Sequence, residues 1–168
     1  MFLQISRLLN IAGLLVLSHC VMGCGRAEIS QVPVFPVRGT LLAGEKPATG
    51  AMLTLHPVDA AARTSLRSLA TVGNDGGFAF STYTNGDGAP AGNFVLTAYW
   101  PDALRAPKDP DGESEQLSPD LLGGRFSSPG QSRLRVQVAP QPNHLAPVDL
   151  NDRTINQATV FAIPRQSS

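Results

Sequence analysis

Short stretches in which apolar and polar residues alternate recur between residues 34 and 150. Such alternation is typical of β-strands with one buried face, because successive side chains of a strand point to opposite sides of the sheet. Beyond the N-terminal region no sustained 3.6-residue repeat is found, so the pattern favours strands over helices. The predicted strands cover residues 34–42, 50–56, 66–73, 77–83, 93–100 and 132–138, and a seventh is marked by Val148 and Leu150.

Turn-forming residues separate these stretches. The chain has 16 glycines and 14 prolines, spread between the apolar segments. The run Asn74-Asp75-Gly76 predicts a hairpin, because asparagine and glycine accept the positive φ angles of a tight turn. Seven short strands joined by turns predict an all-β fold, a seven-stranded antiparallel sandwich of immunoglobulin-like type.

Two segments of the chain have fewer strand signals. Residues 101–131 are a long polar connection, which we expect to be mobile over most of its length because it has little apolar surface to bury. Within it, residues 121–126 are expected to pack against the edge of the domain. Residues 151–168 are a C-terminal extension, and the sequence leaves open whether a candidate edge strand at 158–164 joins the sandwich.

The N-terminal segment has a different pattern. One basic residue, Arg7, precedes an almost continuous apolar run at residues 8–17. A basic start followed by a short apolar run is typical of an export signal. A membrane-spanning helix needs about 20 apolar residues, so the run is too short for one. Residues 1–23 are therefore predicted to be a signal peptide that is removed.

The signal ends near two cysteines with different neighbours. Residues 21–24 (Val-Met-Gly-Cys) resemble the bacterial lipobox, whereas His19 places a bulky imidazole directly before Cys20. The resemblance implies cleavage before Cys24 and attachment of a diacylglyceryl group and an acyl chain such as palmitate to that residue. Each buried CH₂ contributes about 0.8 kcal/mol, so this anchor would be lasting. The alternative is an ordinary secretory signal, with Cys24 a free thiol or part of a disulfide.

The residues after Cys24 bear on where the protein is located. Residues 24–33 are predicted to be a polar tether between the lipid and the domain. Gly25, where some lipoproteins have aspartate, resembles lipoproteins that are released to the outer membrane. The expected location is therefore the cell envelope, at the outer membrane rather than the inner one.

Charge and motifs exclude several classes of function. The chain has 13 basic and 13 acidic residues, so it has no basic field for nucleic acid. It contains no Gly-x-Ser-x-Gly nucleophile motif and no phosphate-binding loop. We therefore predict no nucleic-acid partner and no cofactor.

Residues 85–92 (Asn-Gly-Asp-Gly-Ala-Pro-Ala-Gly) precede the clearest predicted strand. Five further stretches, at 37–41, 44–47, 50–51, 76–78 and 124–129, belong to the same sequence pattern and occur in its order. Together they resemble exported bacterial lipoproteins with a carboxypeptidase regulatory-like, transthyretin-like (prealbumin-like) domain, over residues 34–150. The resemblance implies a fold more than an activity, because the namesake domain is non-catalytic and related modules are stalks, adhesion units or binders. The transthyretin-like hydroxyisourate hydrolase has a C-terminal Tyr-Arg-Gly-Ser motif that this chain lacks.

Few side chains are candidates for chemistry. After removal of the signal, His56 and His144 are the remaining histidines, and neither lies in a zinc-binding motif. Asp75 and Asp87 lie in glycine-rich turns, where too few oxygen ligands gather for calcium, so a turn role is favoured. No metal site and no catalytic residue are predicted.

Tyr83 and Tyr99 are the candidates for ligand contact, because tyrosine rings can stack against sugars. A carbohydrate-binding module would place them side by side on an open face. Trp100 shares the apolar face of its strand with Phe94 and Leu96, so core packing is expected for it.

The sequence thus predicts a membrane-anchored, non-enzymatic structural or partner-binding module. Its expected partners are the membrane, through lipid on Cys24, and an envelope protein or a glycan. A carbohydrate-binding module is the alternative. An enzyme is the third hypothesis, and it would require His56, His144 and a carboxylate in one pocket.

Overall fold

A computed structural model describes residues 31–58, 66–105, 117–151 and 159–164, the last range by its backbone alone. The predicted signal peptide, Cys24 and most of the tether lie outside the described residues, as does the centre of the connection 101–131. Within the described ranges, no helix is long and apolar enough to cross a membrane. Residues Val32–Ser168 belong to one compact unit.

The described residues are all-β, with a single 3₁₀ turn at Ala103–Arg105. Each of the seven predicted strand regions contains a strand, but the described chain has twelve strands rather than seven. They are β1 (Val34–Phe35), β2 (Val37–Ala43), β3 (Lys46–Pro47), β4 (Met52–Pro57), β5 (Ser68–Thr71), β6 (Gly77–Ala79), β7 (Ala89–Pro90), β8 (Gly92–Tyr99), β9 (Arg135–Val138), β10 (Asn143–Leu145), β11 (Val148–Asp149) and β12 (Thr159–Pro164).

Of the five additional strands, β1, β3 and β7 have two residues each, whereas β10 has three and β12 has six. Pro36 separates β1 from β2, because proline has no N–H to contribute to a ladder. The Pro36 carbonyl instead accepts a hydrogen bond from Asn143 N at 2.7 Å. The predicted single strand 34–42 is therefore two strands.

The strand pairing is mixed, which corrects the prediction of an antiparallel sandwich. Strands β10 and β11 pair with β2 in parallel, and β12 pairs with β9 in parallel. The remaining pairings, including β4 with β5 and β8, are antiparallel. Side-chain alternation is the same in both arrangements, so it carries no information on strand direction.

Pairing also runs in a closed circuit. From β2 it passes through β10, β12, β9, β8 and β4 to β5. An antiparallel bridge between Leu69 and Ser81 links β5 to the end of β6, and β6 pairs with β2. Strand β12 belongs to this circuit through both β10 and β9, which answers the question that the sequence left open.

One continuous core fills the space between the strands. Its largest members with almost no exposed surface include Phe80, Leu41, Leu53, Leu55, Leu96, Leu134 and Leu150. Phe78 and Phe80 meet edge to face, with ring centroids 5.5 Å apart. Opposite Phe78, Gly39 leaves room for the ring, because a Cβ at this position would lie 2.6 Å from Phe78 Cζ.

One end of the strands, called the β1 end, is where β1 pairs with β7. Gly88 N donates to Phe80 O here at 2.9 Å, which brings the loop 81–88 to this end. Tyr83 Oη in this loop accepts a hydrogen bond from Val32 N at 3.1 Å. The chain therefore joins the domain at the β1 end.

The other end, called the β3 end, is where β3 pairs with β2. Gly44 N donates to Asp149 Oδ1 at 2.7 Å, and Leu41 N donates to Gly76 O at 2.9 Å. Trp100 Nε1 donates to Thr49 O at 2.9 Å. The turns 44–45 and 74–76 and the start of the connection 101–131 therefore lie together at the β3 end.

Candidate functional site

The outer face of β5, β4 and β8 forms a groove of about 380 Å³. Alternation along β4 buries Leu53 and Leu55 and turns Met52, Thr54 and His56 outward. The neighbouring strands add their own outward residues, and the groove is lined by Met52, Leu53, Thr54, His56, Arg67, Leu69, Ala70, Thr71, Thr97, Ala98, Tyr99 and Ser127.

The floor of this groove holds a short polar chain. His56 Nε2 lies 2.9 Å from Thr97 Oγ1, and Thr97 Oγ1 donates to Thr54 O at 3.4 Å. Which of the two groups donates depends on the tautomer of the imidazole. Burial, and then the positive charge of Arg67, lower the pKa of His56. Both effects favour the neutral form of the ring.

Apolar side chains border the same groove. Met52 is 46% exposed and Leu69 is 54% exposed. Tyr99 is the direct cross-strand partner of Met52, and its hydroxyl donates to Ser118 O. The groove thus combines an aromatic ring, exposed apolar atoms and hydroxyl groups, a combination that is typical of ligand-binding surfaces.

The structure does not bring Tyr83 to Tyr99. Tyr83 lies in the loop 81–88 at the β1 end, bonded to Val32, and the groove lined by Tyr99 does not include it. A two-tyrosine sugar platform is therefore not formed by these residues. The sequence pattern placed both on strand ends, and only the pairing of strands separates them.

A second groove, of about 600 Å³, lies between β5 and β6. It shares Leu69, Ala70 and Thr71 with the first groove. Arg38 and Phe78 also line it. The two grooves therefore adjoin along β5.

Asp87 organises the loop 81–88. Its carboxylate accepts hydrogen bonds from the backbone N–H groups of Thr82 at 2.7 Å and of Tyr83 and Thr84 at 2.9 Å. Burial would raise the pKa of Asp87, but the hydrogen bonds from Thr82, Thr84 and Tyr83 outweigh it and lower the pKa. The carboxylate is charged and engaged by the backbone.

Asp75 has a smaller role of the same kind, because its Oδ1 accepts a hydrogen bond from Gly77 N at 2.9 Å. Nowhere among the described residues do three His, Cys, Asp or Glu side chains gather in a metal-binding arrangement. The two aspartates of the glycine-rich turns thus serve the turns themselves.

The two histidines occupy different parts of the circuit. His56 is on β4 and His144 is on β10, where it pairs with Arg38 of β2. Strands β12, β9 and β8 lie between β10 and β4. The pocket that the enzyme hypothesis requires is not formed by these two residues.

Asp120 is a structural residue that the sequence reading missed. Its carboxylate accepts hydrogen bonds from Trp100 N and Leu122 N at 3.0 Å and from Gly124 N at 2.9 Å. The sequence signal for this role is an aspartate shortly before glycines, because such an aspartate often accepts hydrogen bonds from the backbone of its own turn. Trp100 packs against the core but is only partly buried.

No protein-family model, no curated protein and no solved structure matches the chain.

Proposed function

We propose that the chain is an exported lipoprotein, cleaved before Cys24 and held to the membrane by lipid on that residue. The observation that carries this proposal is the Val-Met-Gly-Cys motif at residues 21–24, directly after a short apolar run. A lipid anchor supplies the membrane affinity that an apolar run of this length does not.

The domain that follows is proposed to be a non-enzymatic binding module with a seven-stranded, carboxypeptidase regulatory-like and transthyretin-like sandwich. The strands in the seven predicted regions, β2, β4, β5, β6, β8, β9 and β11, would form the sandwich, and the remaining strands would be additions to it. A structural role for the acidic residues is supported by three carboxylates, since those of Asp87, Asp120 and Asp149 each accept hydrogen bonds from backbone N–H groups. The groove beside Tyr99 is the proposed contact surface for an envelope partner.

Metabolic labelling with a palmitate analogue tests the anchor. We expect Cys24→Ser to abolish labelling and to move the protein from the membrane to the soluble fraction. Cys20→Ser is the matched control and should label like the wild type, because this residue is discarded with the signal. Full labelling of Cys24→Ser would refute the proposal.

Fractionation of the envelope tests the proposed outer-membrane location. The wild type should sediment with outer-membrane fractions, and Gly25→Asp should shift the protein towards the inner membrane. Recovery of the wild type with the inner membrane would contradict this part of the proposal.

A carbohydrate-binding module is the second candidate. The groove beside Tyr99 favours it, because hydroxyl groups of Thr54, Thr97 and Ser127 line the same concavity. On a glycan array, Tyr99→Ala should lose binding, whereas Tyr99→Phe keeps the ring and should retain it. The absence of any array signal from the wild type would end this candidate.

A further inference from the structure

We infer that the β1 end of the domain rests on the lipid surface and that the β3 end points away from the membrane. This inference depends on the proposed lipid anchor at Cys24. It adds an interaction surface and an orientation, neither of which follows from the anchor alone.

The N-terminal tether joins the domain at the β1 end. Val32 N is hydrogen-bonded to Tyr83 Oη, and β1 pairs with β7 directly after it. The tether therefore starts at the β1 end, and it is fixed there by backbone contacts.

The tether between Cys24 and the domain is short compared with the length of the strands. Eight peptide units separate Cys24 from Val32, so the tether spans at most about 29 Å, and an unrestrained coil of this length averages about 16 Å. Strand β8 has eight residues and is about 25 Å long. For the β3 end to meet the membrane, the tether would have to be almost fully extended, which is entropically unfavourable.

Charge differs between the two ends. The described carboxylates at the β3 end belong to Glu45, Asp75, Asp102, Asp120 and Asp149, and the cationic side chains there belong to Lys46, Arg105 and Arg125, so acidic groups exceed basic ones by two. The β1 end has one described carboxylate, that of Asp87. An anionic lipid surface therefore repels the β3 end more strongly than the β1 end.

Exposed leucines at the β3 end would favour the opposite orientation, with this end on the membrane. Leu104, Leu117 and Leu121 are exposed beside Asp102 and Asp120 at the β3 end. Their carboxylate neighbours would have to enter the lipid interface with them. The β1 end offers exposed Val32 and half-buried Tyr83 with a single described carboxylate, that of Asp87.

Lipid-borne quenching of a fluorophore tests the orientation. The mature protein has no cysteine besides the acylated Cys24, so one introduced cysteine can be labelled alone. Asn85→Cys and Asn74→Cys form a matched pair, since both residues are exposed turn asparagines, at the β1 end and the β3 end respectively. The lipidated full-length protein is reconstituted in vesicles of phosphatidylethanolamine with a minority of phosphatidylglycerol and a headgroup-attached nitroxide.

We expect the label at position 85 to be quenched several-fold more strongly than the label at position 74. The difference should shrink at high salt, because screening removes the charge contribution. Equal quenching, or stronger quenching at position 74, would overturn the inference, and the latter would favour insertion of the exposed leucines. A protein that fails to float with the vesicles would instead contradict the lipid anchor, which keeps the two proposals distinguishable.

Discussion

Gly88 illustrates at the residue scale how tightly the chain is packed at the β1 end. Its φ is +104°, and a Cβ at this position would lie 1.7 Å from the carbonyl oxygen of Phe35. Gly86, two residues earlier, has φ +74° but has open space where a Cβ would be. A substitution at Gly86 therefore incurs only the cost of the left-handed backbone, whereas a substitution at Gly88 adds the cost of a clash with the backbone of Phe35.

Gly88→Ala should destabilise the domain by more than about 3 kcal/mol, because β1 and β7 must separate to admit the methyl group. Gly86→Ala should cost about 1 kcal/mol, the cost of the left-handed conformation alone. Urea denaturation of both variants measures the difference. Equal losses would contradict the close approach of Gly88 to Phe35.

Asp87 carries a pH dependence. Because its pKa is lowered in the folded state, it stabilises the fold above its unfolded pKa of about 3.9. This contribution is lost as the pH falls through the folded pKa. We expect Asp87→Asn to have a lower Tm than the wild type at pH 7, and a difference that narrows below pH 4.

Glu45→Gln is the control for this measurement, since Glu45 is exposed and makes no side-chain hydrogen bond among the described residues. Its Tm should follow the wild type across the same pH range. If the Tm of Asp87→Asn differs from that of the wild type by the same amount at every pH, the stability of the loop does not depend on this charge.

At the element scale, the second half of the connection after β8 contains an ordered turn. The Asp120 carboxylate accepts hydrogen bonds from the backbone N–H groups of Trp100, Leu122 and Gly124. Ala98 N donates to Phe126 O at 3.0 Å. Phe126 is buried in the core. Residues 120–126 are therefore part of the β3 end of the domain.

Asp120→Ala should destabilise the domain by about 2 kcal/mol, because three N–H groups lose their acceptor. It should also shift the fluorescence of Trp100, the single tryptophan, towards longer wavelength as the ring becomes more hydrated. Asp102→Ala is the control, because the Asp102 carboxylate accepts one backbone hydrogen bond, from Leu104 N at 3.0 Å, and pairs with the exposed Arg105, so its loss should cost less, about 1 kcal/mol. A blue shift or no shift in Asp120→Ala would contradict the role of Asp120.

At the scale of the whole molecule, β12 closes the circuit of strands. It pairs with β10 through residues 162–164 and with β9 through residues 159–161. Without it, both neighbours would present an unpaired edge, which is a liability for aggregation. Residues 159–164 of the C-terminal extension are thus part of the domain.

Removal of residues 158–168 should lower the free energy of unfolding by about 3 kcal/mol or more, since each ladder hydrogen bond contributes about 1 kcal/mol. Removal of residues 165–168 alone is the control and should have little effect. Denaturation curves together with sedimentation would report stability and aggregation. Wild-type stability after the longer truncation would contradict closure by β12.

The sequence by itself determined the local features of this protein. Strand β8, the turn at Asn74–Gly76 and the inward face of β4 follow from alternation and from glycine placement, because these depend on neighbours in the chain. The expectation of a lipid anchor at Cys24 also comes from local sequence, and labelling will decide it.

Only the tertiary structure decided which strands meet. The parallel pairings of β2, the closure through β12 and the distance in the fold between Tyr83 and Tyr99 involve residues far apart in the chain, and alternation is identical for every partner and direction. The same holds for Gly88, whose neighbour Phe35 is more than fifty residues away. Close approach of two backbones is a property of the packed molecule, so no local pattern encodes it.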